Sequence, residues 1–388
     1  MSAGPLSVED RGKPRIFYGV NSEGMGHAMR CLPVIERLRA RYDVHVFCGG
    51  RVKSWLEQRL PNVWDLFFIP LVYRDNRMLP AESTRRAFAR APSCFADAGW
   101  LFAKMVREQP VAVLTDYEFL TTWIGFFSRR KIICIDNNHM SLYAALPPPS
   151  SSEEEHAKQT VITVSKWNVP FANITLLSTF WQPGLREGVD PRRVQFAPCA
   201  VRDEVLAKRA GPLRCDGPVL VYQTSSTNHR LPAVLRAAVP LSIAAGRPLS
   251  FHVYGSGEAP HAELDGRLEF CAFDSPAFLD DLARCPFVVV NGGHTTIVEA
   301  LALGKAILCE PVLGHYEQQV NALGVQALGV GRGVAQLEPA DLLRFDVDAA
   351  GFRAAAAAVS VVDNDGLVAA IERAIASMSA EPKRLVGS

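Results

Sequence analysis
The sequence predicts an α/β protein of two Rossmann-like, doubly wound domains that face each other across a cleft. Three observations carry that prediction. Short apolar strand candidates alternate with segments of helical period along most of the chain. Two of those strands, Ile16 to Val20 and Phe287 to Val290, run into glycine turns that open helices. The chain has 388 residues, enough for two domains of ordinary size, and its 48% hydrophobic and 21% charged residues suit well-buried cores.

In chain order, the first fifteen residues, MSAGPLSVEDRGKPR, contain acidic side chains and no apolar run. They argue against a secretory signal and for a cytoplasmic protein. Ile16 to Val20 reads as a buried strand, followed by Asn21-Ser-Glu-Gly24-Met-Gly26-His27 and a helix over Ala28 to Arg41. Further strands are expected at Val44 to Cys48, Phe67 to Leu71, Val111 to Asp116 and Lys131 to Asp136, with Ser83 to Gln109 mostly helical. This alternation implies a parallel sheet covered on both faces. Asp116 and Asp136 end their strands at the carboxyl edge, where such sheets bind ligands. Asp136-Asn137-Asn138-His139 is a dense polar cluster that either lines the cleft or simply forms a turn. Pro147 to Glu155, PPPSSSEEE, is expected to be a surface loop. Strands at Val161 to Val164, Ile174 to Thr179 and Val194 to Pro198 complete a first domain, residues 1–200. The charged, breaker-rich residues 201–217 are expected to link it to the second.

The second domain, residues 218–365, opens with a strand at Pro218 to Gln223 and the hydroxyl-rich Thr224-Ser225-Ser226-Thr227-Asn228. Strands at Leu249 to Tyr254 and Leu268 to Phe273 precede the most informative stretch, FVVVNGGHTTIVEALALGKAILCEPVLGHYEQQVNA, from Phe287 to Ala322. There a strand meets Asn291-Gly292-Gly293-His294, a helical segment carries Glu299, and a second strand follows at Ala306 to Cys309. Two glycines let the backbone approach a ligand, and the amides of His294, Thr295 and Thr296 would open a helix with free donors. A diphosphate suits that end of the helix dipole. Glu299 would then lie about 7 Å along the axis, where its carboxylate could accept from ribose hydroxyls. Glu317, Gln318 and Asn321 could face a sugar beyond the second phosphate. The tail from Leu367 to Met378 reads as an amphipathic helix.

The spacing GG.TT..EA...GK......P.....EQ..NA resembles the donor signature of GT-B glycosyltransferases, the superfamily of MurG and the UDP-glycosyltransferases of natural-product pathways. The resemblance implies that the Gly292-Gly293 turn holds the diphosphate of a nucleotide sugar, in first place a UDP-sugar, Glu299 the ribose, and Glu317 and Gln318 the donor sugar. It also implies a hydroxyl residue near the donor phosphates, here Ser225, and backbone contacts to the base at Ala272 and Phe273. Gly26, in the first turn, is counted with the donor-binding residues. His27, in a G-x-G-H turn, matches the general base of inverting members, a task that suits an imidazole. Asp116 matches the aspartate that orients such a base. The plainer readings are a His27 that orients the turn or binds acceptor, and an Asp116 that caps the next helix. The last helix, residues 366–388, is expected to cross back to the first domain.

Forty-one basic and forty acidic residues give a net charge of +1, so no bulk field recruits nucleic acid. The nine cysteines form no C-x-x-C pair and read as buried thiols. No apolar run approaches the ~20 residues that span a bilayer, although Trp100, Phe102, Phe126 and Phe127 leave peripheral contact with a membrane open. The D-x-D at Asp346-Val347-Asp348 reads as a solvated turn, so no metal and no resident cofactor are expected. Expected partners are a nucleotide-sugar donor and a small-molecule or lipid-linked acceptor, with the protein a monomer or homodimer. A nucleotide-sugar hydrolase, a C2 epimerase and a non-catalytic sugar-nucleotide binding module are the competing readings.

Overall fold
The computed structural model describes residues 12–69, 72–74, 77–211, 213–223, 228–272 and 275–380. The chain starts with β1 (Arg15–Val20), α1 (Met25–Leu38), β2 (Asp43–Cys48), α2 (Gly50–Leu56) and β3 (Val63–Asp65). A small hairpin, β4 (Tyr73–Arg74) and β5 (Arg77–Met78), leads into α3 (Pro80–Ala89) and α4 (Ala91–Glu108). Then come β6 (Ala112–Asp116), α5 (Phe119–Phe127), β7 (Ile132–Asp136), α6 (Met140–Tyr143), α7 (Ser152–Asn168), β8 (Ile174–Ser178) and β9 (Val194–Ala197). Helix α8 (Asp203–Arg209) precedes β10 (Val219–Tyr222), α9 (Leu231–Ala244), β11 (Phe251–Tyr254), β12 (His261–Glu263), β13 (Leu268–Cys271) and α10 (Ser275–Arg284). The remainder is β14 (Phe287–Val290), α11 (His294–Ala302), β15 (Ala306–Cys309), α12 (Tyr316–Ala327), β16 (Gly331–Gly333), α13 (Pro339–Ala358) and α14 (Asn364–Ala380).

Two sheets result. The first runs β3-β2-β1-β6-β7-β8-β9, every pair parallel. The second runs β12-β13-β11-β10-β14-β15-β16, parallel apart from the edge pair β12–β13. Strands such as β14 and β15 are buried along their whole length because helices cover both faces. Each sheet reverses its winding once, between β1 and β6 in the first and between β10 and β14 in the second. The loops at those two carboxyl edges diverge and leave room for a ligand. The first carries His27 and Asp116, the second the Gly292-Gly293 turn.

Helix α14 lies against α1 and strands β7 to β9 of the first sheet. Leu367, Ile371 and Ile375, one helical face, join Ile16, Val34 and Val44 in a single apolar cluster. Full burial of Ile371 alone contributes about 1.5–3 kcal/mol.

Several local expectations need correction. The run Val161 to Val164 is not a strand but lies inside α7. Ser151 accepts from the Glu154 amide and Glu153 to Glu155 fill the first turn, so the acidic triplet expected in a loop instead starts a helix at Ser152. Residues 66–69 are irregular, and the edge strand is the earlier β3. The Phe67 amide bonds to the Asp97 carboxylate on α4, not to a strand. The stretch expected to link the domains contains α8, and its Arg202 is buried. Asp346 and Asp348 lie in α13, bound to Arg247 and Arg332 respectively, and form no solvated turn.

Candidate active site
Helices α1 and α11 begin at the two facing sheet edges. Their N-cap residues, Gly24 and Gly293, are extended and offer no side-chain cap, and neither first turn holds an acid. Their opening amides therefore keep unused donors at the positive end of the dipole. The two turns touch: the Thr295 hydroxyl donates to the Gly26 carbonyl at 3.1 Å. A Cβ on Gly26 would sit 3.0 Å from Thr295 Oγ1, so a side chain there would crowd that hydroxyl. Gly292 has φ +88°, and a Cβ on it would lie 2.8 Å from the Gln318 carbonyl. Only glycine fits both constraints. Asn321 pins this turn by donating to the Gly292 carbonyl at 2.9 Å.

Across the gap, His27 Nδ1 lies 3.2 Å from Asp116 Oδ1, and its Nε2 has no hydrogen-bond partner among the described residues. Asp116 does not cap the next helix, because Glu118 holds the α5 amides of Leu120 and Thr121. Arg30, one turn beyond His27, grips Asp116 with both edges of its guanidinium, Nε to Oδ2 at 2.8 Å and Nη2 to Oδ1 at 2.5 Å. Burial opposes ionisation of Asp116, but the charges of Arg30 and His27 win and hold the carboxyl well below its ordinary range. The sequence reading missed Arg30. Its position three residues past His27, on the same helical face, was the available signal.

The structure also brings Glu317 to this edge. Asn137 Nδ2 donates to its Oε1 at 3.0 Å and Asn138 Nδ2 to its Oε2 at 3.1 Å, a clasp between the sheets. Gln318 does not face the cleft freely: it is buried, and its Oε1 accepts from the Val312 amide at 2.9 Å. Glu299 likewise offers no open carboxylate. Arg202 binds its two oxygens at 2.7 and 2.8 Å and also donates to Ser275, and Glu299 is 2% exposed. The expected ribose ligand is thus the partner of a buried arginine, a pairing that no local pattern signals. His294 and Thr296 are buried at the start of α11. Burial pushes the His294 imidazole down to about 3, so it is neutral, and its Nδ1 has no partner among the described residues. Ala272 is exposed just after β13, whereas Ser225 and Phe273 lie outside the described residues.

Cys134, Asp136 and His139 bring three ligand-type atoms within 4.8 Å of one another. They already satisfy each other: His139 Nδ1 lies 2.9 Å from Asp136 Oδ2, and the Cys134 thiol donates to the same oxygen at 3.1 Å. A second D-x-D, Asp363-Asn364-Asp365, opens α14, with Asp363 bound to the Gly366 amide and Asp365 paired with Arg37.

The chain matches glycosyl transferase family 1 over residues 14–348. A glycosyltransferase of Methanosarcina acetivorans, itself uncharacterised, is 43% identical over 56 residues, 14% of this chain and 15% of that protein. The matched stretch thus spans about 15% of that relative's length. Among solved structures, the calicheamicin glycosyltransferase CalG4 is similar with a TM-score of 0.62 and 18% identity, covering 97% of this chain and 100% of its own. UGT2 of Phytolacca americana, complexed with UDP-2-fluoroglucose and pterostilbene, gives 0.64 and 16%, covering 95% and 100%. At such identities the likeness is one of fold. Two facing seven-stranded α/β sheets and a family match across most of the chain lead to one conclusion: this protein belongs to glycosyl transferase family 1 and has the two-domain GT-B fold.

Proposed function
We propose that this glycosyltransferase is inverting and metal-independent, moving a sugar from a nucleoside-diphosphate sugar, in first place a UDP-sugar, to a hydroxyl of a small-molecule or lipid-linked acceptor. The second sheet forms the donor half, and the first sheet with α14 forms the acceptor half. The observation that carries the reading is the meeting of two uncapped, acid-free helix N-termini beside the His27–Asp116 pair.

A donor diphosphate takes the amides of residues 294–296, displacing the Thr295 hydroxyl from the Gly26 carbonyl. The acceptor hydroxyl gives its proton to His27 Nε2, and its oxygen attacks the anomeric carbon from the face opposite the diphosphate. The bond from that carbon to the phosphate oxygen breaks, and its electron pair stays on the diphosphate. Amides and helix dipole stabilise the charge that develops there, the task a metal performs in other sugar transferases. Asp116 faces Nδ1, fixes the ring and balances the imidazolium. Glu317 binds hydroxyls of the donor sugar.

Thermal unfolding with UDP, dTDP, GDP and their sugars tests donor choice. A nucleotide at a hundred times its Kd stabilises the fold by about 2.7 kcal/mol. Product analysis with and without phenolic and polyprenyl acceptors, in EDTA, separates transfer from hydrolysis and epimerisation. Transfer with inverted anomeric configuration that survives EDTA supports the reading. Retention of configuration, loss of rate in EDTA, or binding without any reaction overturns it.

A further inference from the structure
Arg30 has all three guanidinium nitrogens engaged, and its partners come from separate segments. Nε and Nη2 hold Asp116 at the end of β6, and Nη1 donates to Asn137 Oδ1 at 3.1 Å; Nη2 also lies 3.0 Å from His27 Nδ1, a contact that is no hydrogen bond in the tautomer whose Nδ1 carries the proton towards Asp116. Asn137 in turn donates to Glu317 Oε1 at 3.0 Å from the opposite sheet. Arginine only donates and a carboxylate only accepts, so the Asn137 amide has one workable orientation, oxygen towards Arg30 and nitrogen towards Glu317. Asn138 holds the other oxygen of Glu317, but its own Oδ1 is buried without a partner among the described residues. Of the two asparagines in the clasp, Asn137 continues to Arg30 and Asn138 does not.

We propose that Arg30 is a positioning residue that joins the His27–Asp116 pair to Glu317 through Asn137, so that closing the cleft and orienting the imidazole rest on one guanidinium. This deepens the proposed function, since it takes His27 as the base and Glu317 as the donor-sugar ligand. A planar fork is needed, because a lysine ammonium cannot bind both Asp116 oxygens and still reach Asn137.

Arg30 also sets what His27 feels. The titratable and charged groups facing this pair are Asp116 on β6, Cys31 on α1, Tyr18 on β1, Glu317 on α12, Asp136 at the end of β7 and His294 on α11. With Arg30 present, the Asp116 charge is largely balanced. Without it, an unbalanced carboxylate faces the imidazole, and the acid limb of the rate profile moves up.

The test follows the His27 ring by NMR in the ligand-free full chain, its signals assigned by their loss in H27Q, in R30Q, R30K, N137A and N138A. The same variants are assayed against pH with whichever sugar nucleotide of the panel turns over. R30Q should displace the His27 ring signals and move the acid limb of the rate profile up. R30K keeps the charge but should lose kcat at least about tenfold, as misplaced reacting groups do. N137A should displace the His27 ring signals and lower kcat at least about fivefold more than N138A, while both raise the donor KM. R30Q leaves Asp116 unpaired in a buried site and can fail to fold; the asparagine pair keeps the proposal testable in that event. Equal behaviour of N137A and N138A, or an unmoved acid limb in folded R30Q, overturns the coupling even when H27A is inactive. Full activity in H27A overturns the assignment of the base, and the role of Arg30 falls with it.

Discussion
The two sheet edges that face each other are made from the same strand, glycine turn and helix, yet they carry different chemistry. The first edge concentrates ionised groups: Asp116 is held charged by Arg30 and His27, and Asp136 by His139, against the cost of burial. Around its turn the second edge offers uncharged groups, the backbone at Gly292 and Gly293, the buried amides of Gln223 and Asn291, and an imidazole kept neutral, with the carboxyls of Glu310 and Glu317 flanking them. The buried ion pair of Arg202 with Glu299 is closed on itself. Proton transfer needs groups that change charge, whereas holding a diphosphate needs fixed dipoles that do not reorganise. The fold gives each task its own edge. Helix starts show the contrast in another form, since α5 and α7 begin with Glu118 and Ser151 as side-chain caps while α1 and α11 begin with bare glycines.

The comparison breaks most readily at His27. H27A should lower the transfer rate by about 10²- to 10⁴-fold and leave UDP affinity within about twofold, read by initial rates and by titration calorimetry. A variant that instead lost UDP binding would move His27 to the donor side. Next comes the closed ion pair. E299A leaves the Arg202 charge buried and unpaired and should cost about 3–5 kcal/mol in urea unfolding, whereas E299L/R202M should recover most of it. If the stable double variant also binds UDP as wild type does, Glu299 is structural, and the ribose is held elsewhere. A smaller effect is expected for G292A, about 1–3 kcal/mol from the positive φ and the crowded Gln318 carbonyl. It should weaken UDP binding while the acid limb of the rate stays in place.

The smallest effect sharpens the neutral side of the comparison. Burial holds His294 down to about 3 and His45 down to about 4 in the folded chain. The unfolded chain takes up protons at ~6.5, so these histidines remove stability as pH falls from about 6.5 through those values and have no effect above. H294N should therefore flatten the loss of urea midpoint between pH 7 and pH 5. An unchanged slope would mean that His294 is protonated in the native state. The depressed carboxyls of Asp116 and Asp136 act lower, contributing stability above ~3.9 that is lost as pH falls further.

Much of the fold was legible because its signals are local. Apolar runs of strand length and glycine turns place β1, β14 and β15 within a residue, and helical period places the helix after β1 within three. Where two local signals conflicted, the reading failed. The Val161 to Val164 run has strand composition, but it lies within a helix already started by Ser151 and the glutamates, with Thr160 and Thr163 bonded to carbonyls one turn back. The tail helix α14 is amphipathic in sequence, yet nothing in its own pattern says which sheet receives its apolar face.

The sequence by itself determined the α/β class, the two glycine turns and the strand ends at which His27, Asp116 and Gly292 stand. These depend on residues within a few positions of one another, where backbone geometry and side-chain period act directly. Only the tertiary structure decided which charges meet: Arg30 with Asp116 across 86 residues, Arg202 with Glu299 across 97, and Asn137 with Glu317 across 180. Such pairings leave no periodic trace, because they are made when the two sheets fold and their edges are brought together.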